Sequence, residues 1–285
     1  MIEIKSLANI SFDILFTTFE QTFAEYEVQQ DKVQLQRMLE RRGFNPKLSF
    51  AAFESDRIVA FTFNGIGIYY GVQTAYDTGT GTLKEYRGKG LATRIFEYSI
   101  PYLKEAGIQQ YLLEVLQHNT KAVSVYRNIG FEVIREFNYF VEDKEKVSTC
   151  LQMQNSVSPY IIKEINVADY SVSDFWDFRP SWQNSFEAIN RVPEGFITLG
   201  IFAEDSLMGY CIFEPESGDI TQIAVDKGYR RKGIGTVLFE EIIRLINSTQ
   251  IKIINTELSC DAITHFLAAK KIVAKGKQFE MIKML

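Results

Sequence analysis

Cysteine and histidine are both scarce in this chain of 285 residues: there are three of the first, Cys150, Cys211 and Cys260, and two of the second, His118 and His265. Three widely spaced cysteines build no disulfide framework, no C-x-x-C pair is present, and two histidines leave no metal-ligand spacing. The expectation is a protein without a bound metal in a reduced, cytoplasmic compartment. Long apolar runs are also missing, so no membrane span is expected, and the start MIEIKSLANISFDIL lacks a charged-then-apolar signal pattern. Positive charge is short as well. A net charge of −5 and a pI near 5.3 argue against a nucleic-acid partner, because phosphate neutralisation shows as a basic domain.

The remaining composition, 46% hydrophobic and 24% charged, is that of a globular protein, and 285 residues sit at the upper limit for one core. Two domains are expected. A short basic motif present in duplicate supports this: Arg87-Gly88-Lys89-Gly90-Leu91-Ala92 recurs 143 residues later as Arg230-Arg231-Lys232-Gly233-Ile234-Gly235. Each copy follows a tyrosine, Tyr86 or Tyr229, and each heads an apolar-periodic stretch. One such match is weak, but repetition at half the chain length marks an internal duplication. Glycine at the fourth place lets backbone approach a ligand, and a small residue at the sixth keeps Cβ bulk away. The helix that follows aims unpaired N–H groups and its positive dipole end at an anion. The motif reads as a pyrophosphate-binding loop, present twice. It is neither G-x-x-x-x-G-K-[ST] nor G-x-G-x-x-G, so a Walker or Rossmann site is excluded.

Around the loops the two halves repeat one order of elements. The first half predicts a strand at 2–4, helical segments to Arg42, a hairpin of strands at 50–53 and 58–63, and a threonine-rich strand at 74–83. In that strand Thr78, Thr80 and Thr82 alternate with Gly79 and Gly81, so one face has no side chains and something is expected to lie against it. A helix follows the loop, with Pro101 expected to kink it. Next come a strand at 111–116, a short helix capped by Asn119 or Thr120 and closed by Gly130, and strands at 131–141 and 147–153. The polar stretch 155–159 reads as a linker between domains at 1–154 and 160–285. The second half predicts a strand at 160–165, a hairpin of 197–203 and 207–213, a strand at 220–225, and a helix striped by Ile234, Leu238, Ile242 and Leu245.

Strand, Arg-x-x-Gly-x-Gly/Ala loop, amphipathic helix, strand, Asn-capped helix with a tyrosine, then Gly-Phe: this order resembles the GNAT N-acetyltransferase superfamily, over nearly the whole chain and twice. YRGKGLA and YRRKGIG are similar to its acetyl-CoA loop, and LEVLQHNTKAVSVYRNIGF is similar to its second conserved block. The resemblance implies an α/β (α+β) chain of two domains. Each would be a mixed, mostly antiparallel sheet flanked by helices, with two central strands splayed around the pantetheine arm of acetyl-CoA, a co-substrate. It also implies transfer of acetyl to a primary amine, here of a small molecule, by direct attack, in a monomer or homodimer.

On that resemblance the amides from Gly88 through Leu91 to Ala92 would hold the pyrophosphate, with Arg87 and Lys89 adding charge. Thr82 and Leu83 would turn an N–H toward the thioester oxygen. Tyr126 stands at the place of the family's general acid; the plainer reading is a core tyrosine. Glu114 and Asp77 are the carboxylates near enough to serve as base, and each has a structural reading as well. Asn119 would cap its helix and reach the pantetheine amides. The second half keeps Arg230, Arg231, Lys232, Gly233 and Gly235 as a loop. Aligning Glu114 with Glu257 and Ala122 with Ala262 leaves three positions missing, no counterpart of Asn119, and Phe266 in place of Tyr126. The second domain is therefore expected to be degenerate, with His265 the one substitute acid. The alternative to an enzyme is a non-catalytic acyl-CoA-binding or sensing protein. The aromatic cluster 175–182 reads as core packing or as a pocket wall.

Overall fold

The computed structural model describes residues 1–25, 29–147 and 160–285. The expected linker and most of the strand at 147–153 lie outside them. The chain forms two compact units, and these are not contiguous halves. The first unit holds Met1–Arg135, Phe186–Val192 and Phe279–Leu285; the second holds Glu136–Ser185 and Pro193–Gln278. The C-terminal residues join the first unit for a physical reason. Met281 is buried in the same cluster as Leu113 and Phe131, and Glu280, fully buried, takes a bidentate ion pair from Arg135.

The sheet of the first unit is ordered β1 (Ile2–Ser6), β2 (Phe50–Glu54), β3 (Arg57–Tyr69), β4 (Val72–Thr82) and β5 (Gln110–Leu116), followed by the end of β12 (Ala274–Met284), from Phe279 on, and the start of β6 (Glu132–Asp143). The first four run antiparallel, whereas β4 and β5 are parallel. β3 and β4 join at Tyr70 and Gly71, both at positive φ, as a two-residue hairpin turn requires. Helices cover both faces. On one, α1 (Phe12–Phe23) and α2 (Lys32–Arg41) bury Leu15, Leu35 and Leu39 against Phe53, Phe61 and Phe63. α2 starts on a capping box in which Asp31 and Gln34 satisfy each other's backbone N–H. On the other face, α3 (Leu91–Glu105) buries its 3.6-residue stripe, Leu91 and Ile95 against Phe50 and Ala60, and Phe96 and Leu103 against Tyr111. α3 runs on through Pro101. α4 (Thr120–Asn128) follows, with the Asn119 side chain accepting from the Ala122 N–H at 3.3 Å.

The second unit is ordered β6 (Glu132–Asp143, from Glu136 on), β11 (Gln250–Glu257), β10 (Asp219–Val225), β9 (Ser206–Glu214), β8 (Ile197–Ala203) and β7 (Ile161–Glu164). Again only the central pair, β10 and β11, is parallel. α5 (Phe186–Ile189) belongs to the first unit. α6 (Ile234–Leu245) packs Leu238, Phe239 and Ile242 on Ile201, Cys211 and Phe213; α7 (Asp261–Ala269) and β12 (Ala274–Met284) close the chain. Where the first unit has two helices before its hairpin, the second has short 3₁₀ turns over Val167–Asp169, Val172–Phe175 and Trp182–Asn184. Among the described residues no helix is long and apolar enough to cross a membrane, and no group of three or more His, Cys, Asp or Glu is placed to hold a metal ion.

The bare face of β4 is covered by α1. A Cβ at Gly81 would stand 2.6 Å from Thr22 Cγ2 and 2.8 Å from Phe61 Cζ, whereas one at Gly79 would make ordinary contacts with Phe19 at 3.8 Å and Phe63 at 3.9 Å. Gly81→Ala is therefore expected to destabilise the protein by about 1–3 kcal/mol, through overpacking against Thr22 and the buried ring of Phe61. Gly79→Ala should stay within about 0.5 kcal/mol of the parent. Equilibrium urea unfolding of the two variants checks this, and equal stabilities would show that α1 yields.

Candidate functional site

The two loops fold alike. In the first, a 3₁₀ turn over Lys84–Tyr86 follows β4, and Gly88 and Gly90 take φ of 78° and 70° before α3 begins. In the second, the turn covers Lys227–Tyr229, and Arg231 and Gly233 take φ of 62° and 84° before α6. Nothing stands within 4 Å of where a Cβ would sit at Gly88, Gly90 or Gly233, and no side chain caps either helix. The first amides of α3 and α6, which have no partner inside their helices, thus face an open cradle suited to an anion.

The loop arginines have a different employment from the one expected. Arg87 donates through Nε to the Thr82 carbonyl at 3.2 Å and through Nη2 to the Thr22 carbonyl at 3.0 Å, and it pairs with Glu25 at 3.3 Å. Arg230 repeats the set, with the Val225 carbonyl at 3.1 Å, the Phe175 carbonyl at 2.9 Å and Asp177 at 2.9 Å. Both guanidiniums tie the end of the strand to the segment lying across it, so their charge is spent on shaping the loop. Lys89 and Lys232 lie over the rings of Tyr86 and Tyr229, 4.5 and 5.0 Å from the centroids. Leu83, expected to offer its N–H to a thioester, donates it to the Val59 carbonyl at 2.9 Å; Thr82 sits beside it, paired with Ala60.

Beyond the loop the central strands part. β4 and β5 pair at Thr74–Tyr76 opposite Gln110–Leu112, and immediately afterwards β4 carries a bulge at Thr78, opposite the step from Phe63 to Asn64. The second unit has its bulge at Thr221, the same distance from its loop. At the opening in the first unit, Tyr126 of α4 donates its hydroxyl to Asp77 of β4 at 3.0 Å. Asp77 also accepts from the Thr80 hydroxyl at 2.8 Å and the Gly79 N–H at 2.9 Å. Withdrawal of its carboxyl from water pushes the Asp77 pKa above the ordinary carboxylate value, partly offset by these bonds and by Arg42. Glu114 is engaged one step back on β5, accepting from the buried Tyr76 hydroxyl at 2.8 Å. Of the two carboxylates, Asp77 is the one joined to Tyr126.

The second unit holds a cavity of about 550 Å³ that runs from the loop at Arg231 and Gly233–Thr236 down between β10 and β11. Phe175, Trp176, Phe178 and Pro180 of the aromatic cluster wall one side, and Cys260, Ile263, His265 and Phe266 another. A chain of hydrogen bonds links side chains of its lining. Trp176 Nε1 donates to the Tyr210 hydroxyl, which donates to Gln222 Oε1, each at 2.6 Å; Gln222 Nε2 donates to the Asn184 carbonyl at 2.6 Å, and Asn184 Nδ2 to the Ile254 carbonyl on β11 at 3.0 Å.

The register of the duplication after the loops differs from the one counted along the sequence. The Phe131 N–H returns to the Tyr126 carbonyl at the end of α4, and the Ile272 N–H returns to the Leu267 carbonyl at the end of α7. Asn119 and Cys260 are the matching N-caps, and Gly130 and Lys271 the matching residues at positive φ. Two positions are therefore missing, not three. Tyr126 is equivalent to Leu267 and not to Phe266, and Glu257 to Leu116, which leaves Asn255 equivalent to Glu114. The count failed because β11 absorbs an irregularity between Ile253 and Thr256, with Asn255 at φ 58°. The hydroxyl is missing on either register.

The model of the acetyltransferase (GNAT) family matches this chain twice, over residues 12–131 and 160–266. N-alpha-acetyltransferase 30 of Schizosaccharomyces pombe is 32% identical over 87 residues, 30% of this chain and 58% of that protein. The chain thus spans little more than half of that relative. Thialysine N-epsilon-acetyltransferase of Sus scrofa is 29% identical over 129 residues, 40% of this chain and 74% of that protein. Among solved structures, a tandem GNAT protein from the clavulanic acid biosynthesis pathway superposes with a TM-score of 0.73 at 14% identity, over 100% of this chain and 98% of that one. A GCN5-related N-acetyltransferase from Sphaerobacter thermophilus gives 0.71 at 12% identity, over 99% and 95%. At these identities the structures share the fold.

Lys271 holds φ 65° where the first unit has Gly130 at 89°. A left-handed residue with a Cβ costs about 1–2 kcal/mol, so Lys271→Gly is expected to stabilise the second unit by about 1 kcal/mol, a rise seen in thermal melting. A fall would place the helix end elsewhere.

Proposed function

This chain belongs to the GNAT acetyltransferase family, and we propose that its first unit transfers an acetyl group from acetyl-CoA to a primary amine of a small molecule while its second unit holds a CoA thioester without turning it over. The observation that carries this reading is the Tyr126–Asp77 hydrogen bond at the point where β4 and β5 separate. The thioester supplies an electrophilic carbonyl and a thiolate leaving group. Asp77 takes a proton from the attacking amine, and the Tyr126 hydroxyl gives its proton to the departing sulfur. The proton held by Asp77 then restores the Tyr126 phenol along their shared hydrogen bond, so the amine proton ends on the thiol and both side chains return to their starting states. A raised pKa suits Asp77 to this exchange, since it must both take and release a proton. Glu114, held by Tyr76, shapes the opening from β5. Amides of Gly88–Ala92 hold the pyrophosphate, Arg87 fixes their placement, and Asn119 orients α4.

The second unit has Ile220 at the level of Asp77 and Leu267 at that of Tyr126, so it has neither the base nor the acid. Its cradle and cavity support retention of the thioester. The reading is tested first by following release of free CoA thiol from acetyl-CoA with a panel of amines. Absence of release with every amine, while acetyl-CoA binds, would favour the sensing protein instead.

Tyr126→Phe is expected to leave acetyl-CoA affinity nearly unchanged and to lower kcat about a hundredfold or more where protonation limits the rate. In the parent, kcat/KM should fall as pH drops through a pKa above the ordinary aspartate value of about 3.9, because Asp77 must be ionised to accept a proton. Asp77→Asn should abolish that limb of the profile. The same raised pKa favours the folded state at low pH, and the contribution is lost as pH rises through it. An unshifted acidic limb in Asp77→Asn removes Asp77 from the mechanism.

Gly90→Val places a branched side chain in the first cradle, and Gly233→Val does the same in the second. At saturating acetyl-CoA, with folding verified by melting, Gly90→Val is expected to abolish turnover and Gly233→Val to spare most of it. The reverse result would assign catalysis to the second unit.

A further inference from the structure

The cavity of the second unit separates charge from carbon along its length. Among the described residues that line it, the charged ones are Arg230 and Arg231 of the loop and Asp177, which Arg230 holds at 2.9 Å; His265 of α7 is the one imidazole. No lysine or arginine lines it beyond the loop. Residues 175–184 run along the opening. Arg230 fixes one end, through the Phe175 carbonyl at 2.9 Å, and Asn184 fixes the other, through the Ile254 carbonyl at 3.0 Å. Phe175, half-buried Phe178 and Pro180 therefore wall the path that leads away from the cradle. Ile220 stands where the first unit has Asp77, so the floor beside the bulge at Thr221 is apolar as well. The amide side chains along this stretch are engaged. Gln222 and Asn184 belong to the line that starts at Trp176, and Asn255 donates to the Ser181 hydroxyl at 2.9 Å and accepts from Gln278 Nε2 at 2.8 Å. A ligand end lying here meets aromatic and aliphatic carbon, and a carboxylate on it would lose its water without gaining a cation.

We propose that the ligand retained by the second unit is a CoA thioester whose acyl group is uncharged, apolar and longer than acetyl, its chain lying between Ile220 and the wall of Phe175, Phe178 and Pro180. The inference rests on the retention reading above and names the ligand class for it. The two units then take different thioesters, one to spend an acetyl group and one to hold a longer acyl chain. Each methylene buried against such a wall strengthens binding by about fourfold, less the cost of ordering the chain.

The test uses the full chain carrying Gly90→Val, which obstructs the first cradle, and calorimetry with acetyl-, hexanoyl- and succinyl-CoA. Hexanoyl-CoA is expected to bind about tenfold or more tighter than acetyl-CoA, and succinyl-CoA no tighter than acetyl-CoA. Adding Gly233→Val should remove hexanoyl-CoA binding, which locates it at the second cradle. Phe178→Lys sets a cation in the wall and should narrow the gap between hexanoyl- and succinyl-CoA about tenfold or more, whereas Phe178→Leu, which keeps carbon there, should preserve it. Thermal melting verifies that each variant is folded. Equal affinity for acetyl- and hexanoyl-CoA, tightest binding of succinyl-CoA, or a gap untouched by Phe178→Lys overturns the acyl assignment, and retention of a thioester stands so long as acetyl-CoA binding depends on Gly233. Hexanoyl-CoA binding that survives Gly233→Val, or no binding of any of the three, overturns the acyl assignment and the retention reading together.

Discussion

Two parallel strands at the centre of each unit pair briefly and then separate, and the rest of the architecture is a response to that separation. A sheet interior tolerates a gap only if the backbone and side-chain groups it exposes find other partners. Bulges at Thr78 and Thr221 begin the parting by leaving one residue of β4 and of β10 without an opposite number. In the first unit the groups at the opening are met by Thr80, Tyr126 and Arg42; in the second they are met by a segment from outside the sheet, residues 181–184.

The loop arginine is the second constraint, and it acts on the first. A cradle of amides is useful only if it faces the opening between the strands, and a glycine-rich loop does not fix its own direction. Arg87 and Arg230 fix it from outside, each holding the last carbonyl of the strand and a carbonyl of the crossing segment. A planar guanidinium with several rigid donors makes such a three-way tie, which a lysine does not. The crossing segments differ, a helix in one unit and a 3₁₀ turn in the other, yet each supplies a carboxylate to the same guanidinium: Glu25 or Asp177.

Local signals made much of this legible in the sequence. The duplicated loops, the hairpins, the α3 and α6 stripes and the Asn119 cap are set by residues within a few positions of one another. The opening's carboxylate and tyrosine were also visible as residue types, and Asp77 and Tyr126 do meet. What escaped depends on distant contacts. Nothing near Arg87 announces that Thr22 and Glu25 will take its donors, or that the N–H of Leu83 is used by Val59. The cover on the bare glycine face was expected, but its identity as α1 was not. The misplaced register in the second half has a local cause of another kind: a strand irregularity around Asn255 is silent in a count of residues. Exchange of residues 279–285 into the first unit follows from burial of Met281 and Glu280, which no pattern at the end of the chain marks.

The difference between the units lies in how their polar groups are satisfied. In the second, Trp176, Tyr210, Gln222 and Asn184 donate in one closed line that ends on a backbone carbonyl, and removing any member strands a buried partner. Such a line rigidifies a site and has no proton to spare. In the first, Asp77 is held by two donors on its own strand, Thr80 and Gly79, and by one donor from another element, Tyr126. The first two keep the carboxyl in place independently of Tyr126, which suits the proton exchange proposed for this pair. A replaceable donor beside a fixed acceptor is what proton transfer requires, and duplication of the scaffold preserved the opening in both units while only one retained that arrangement.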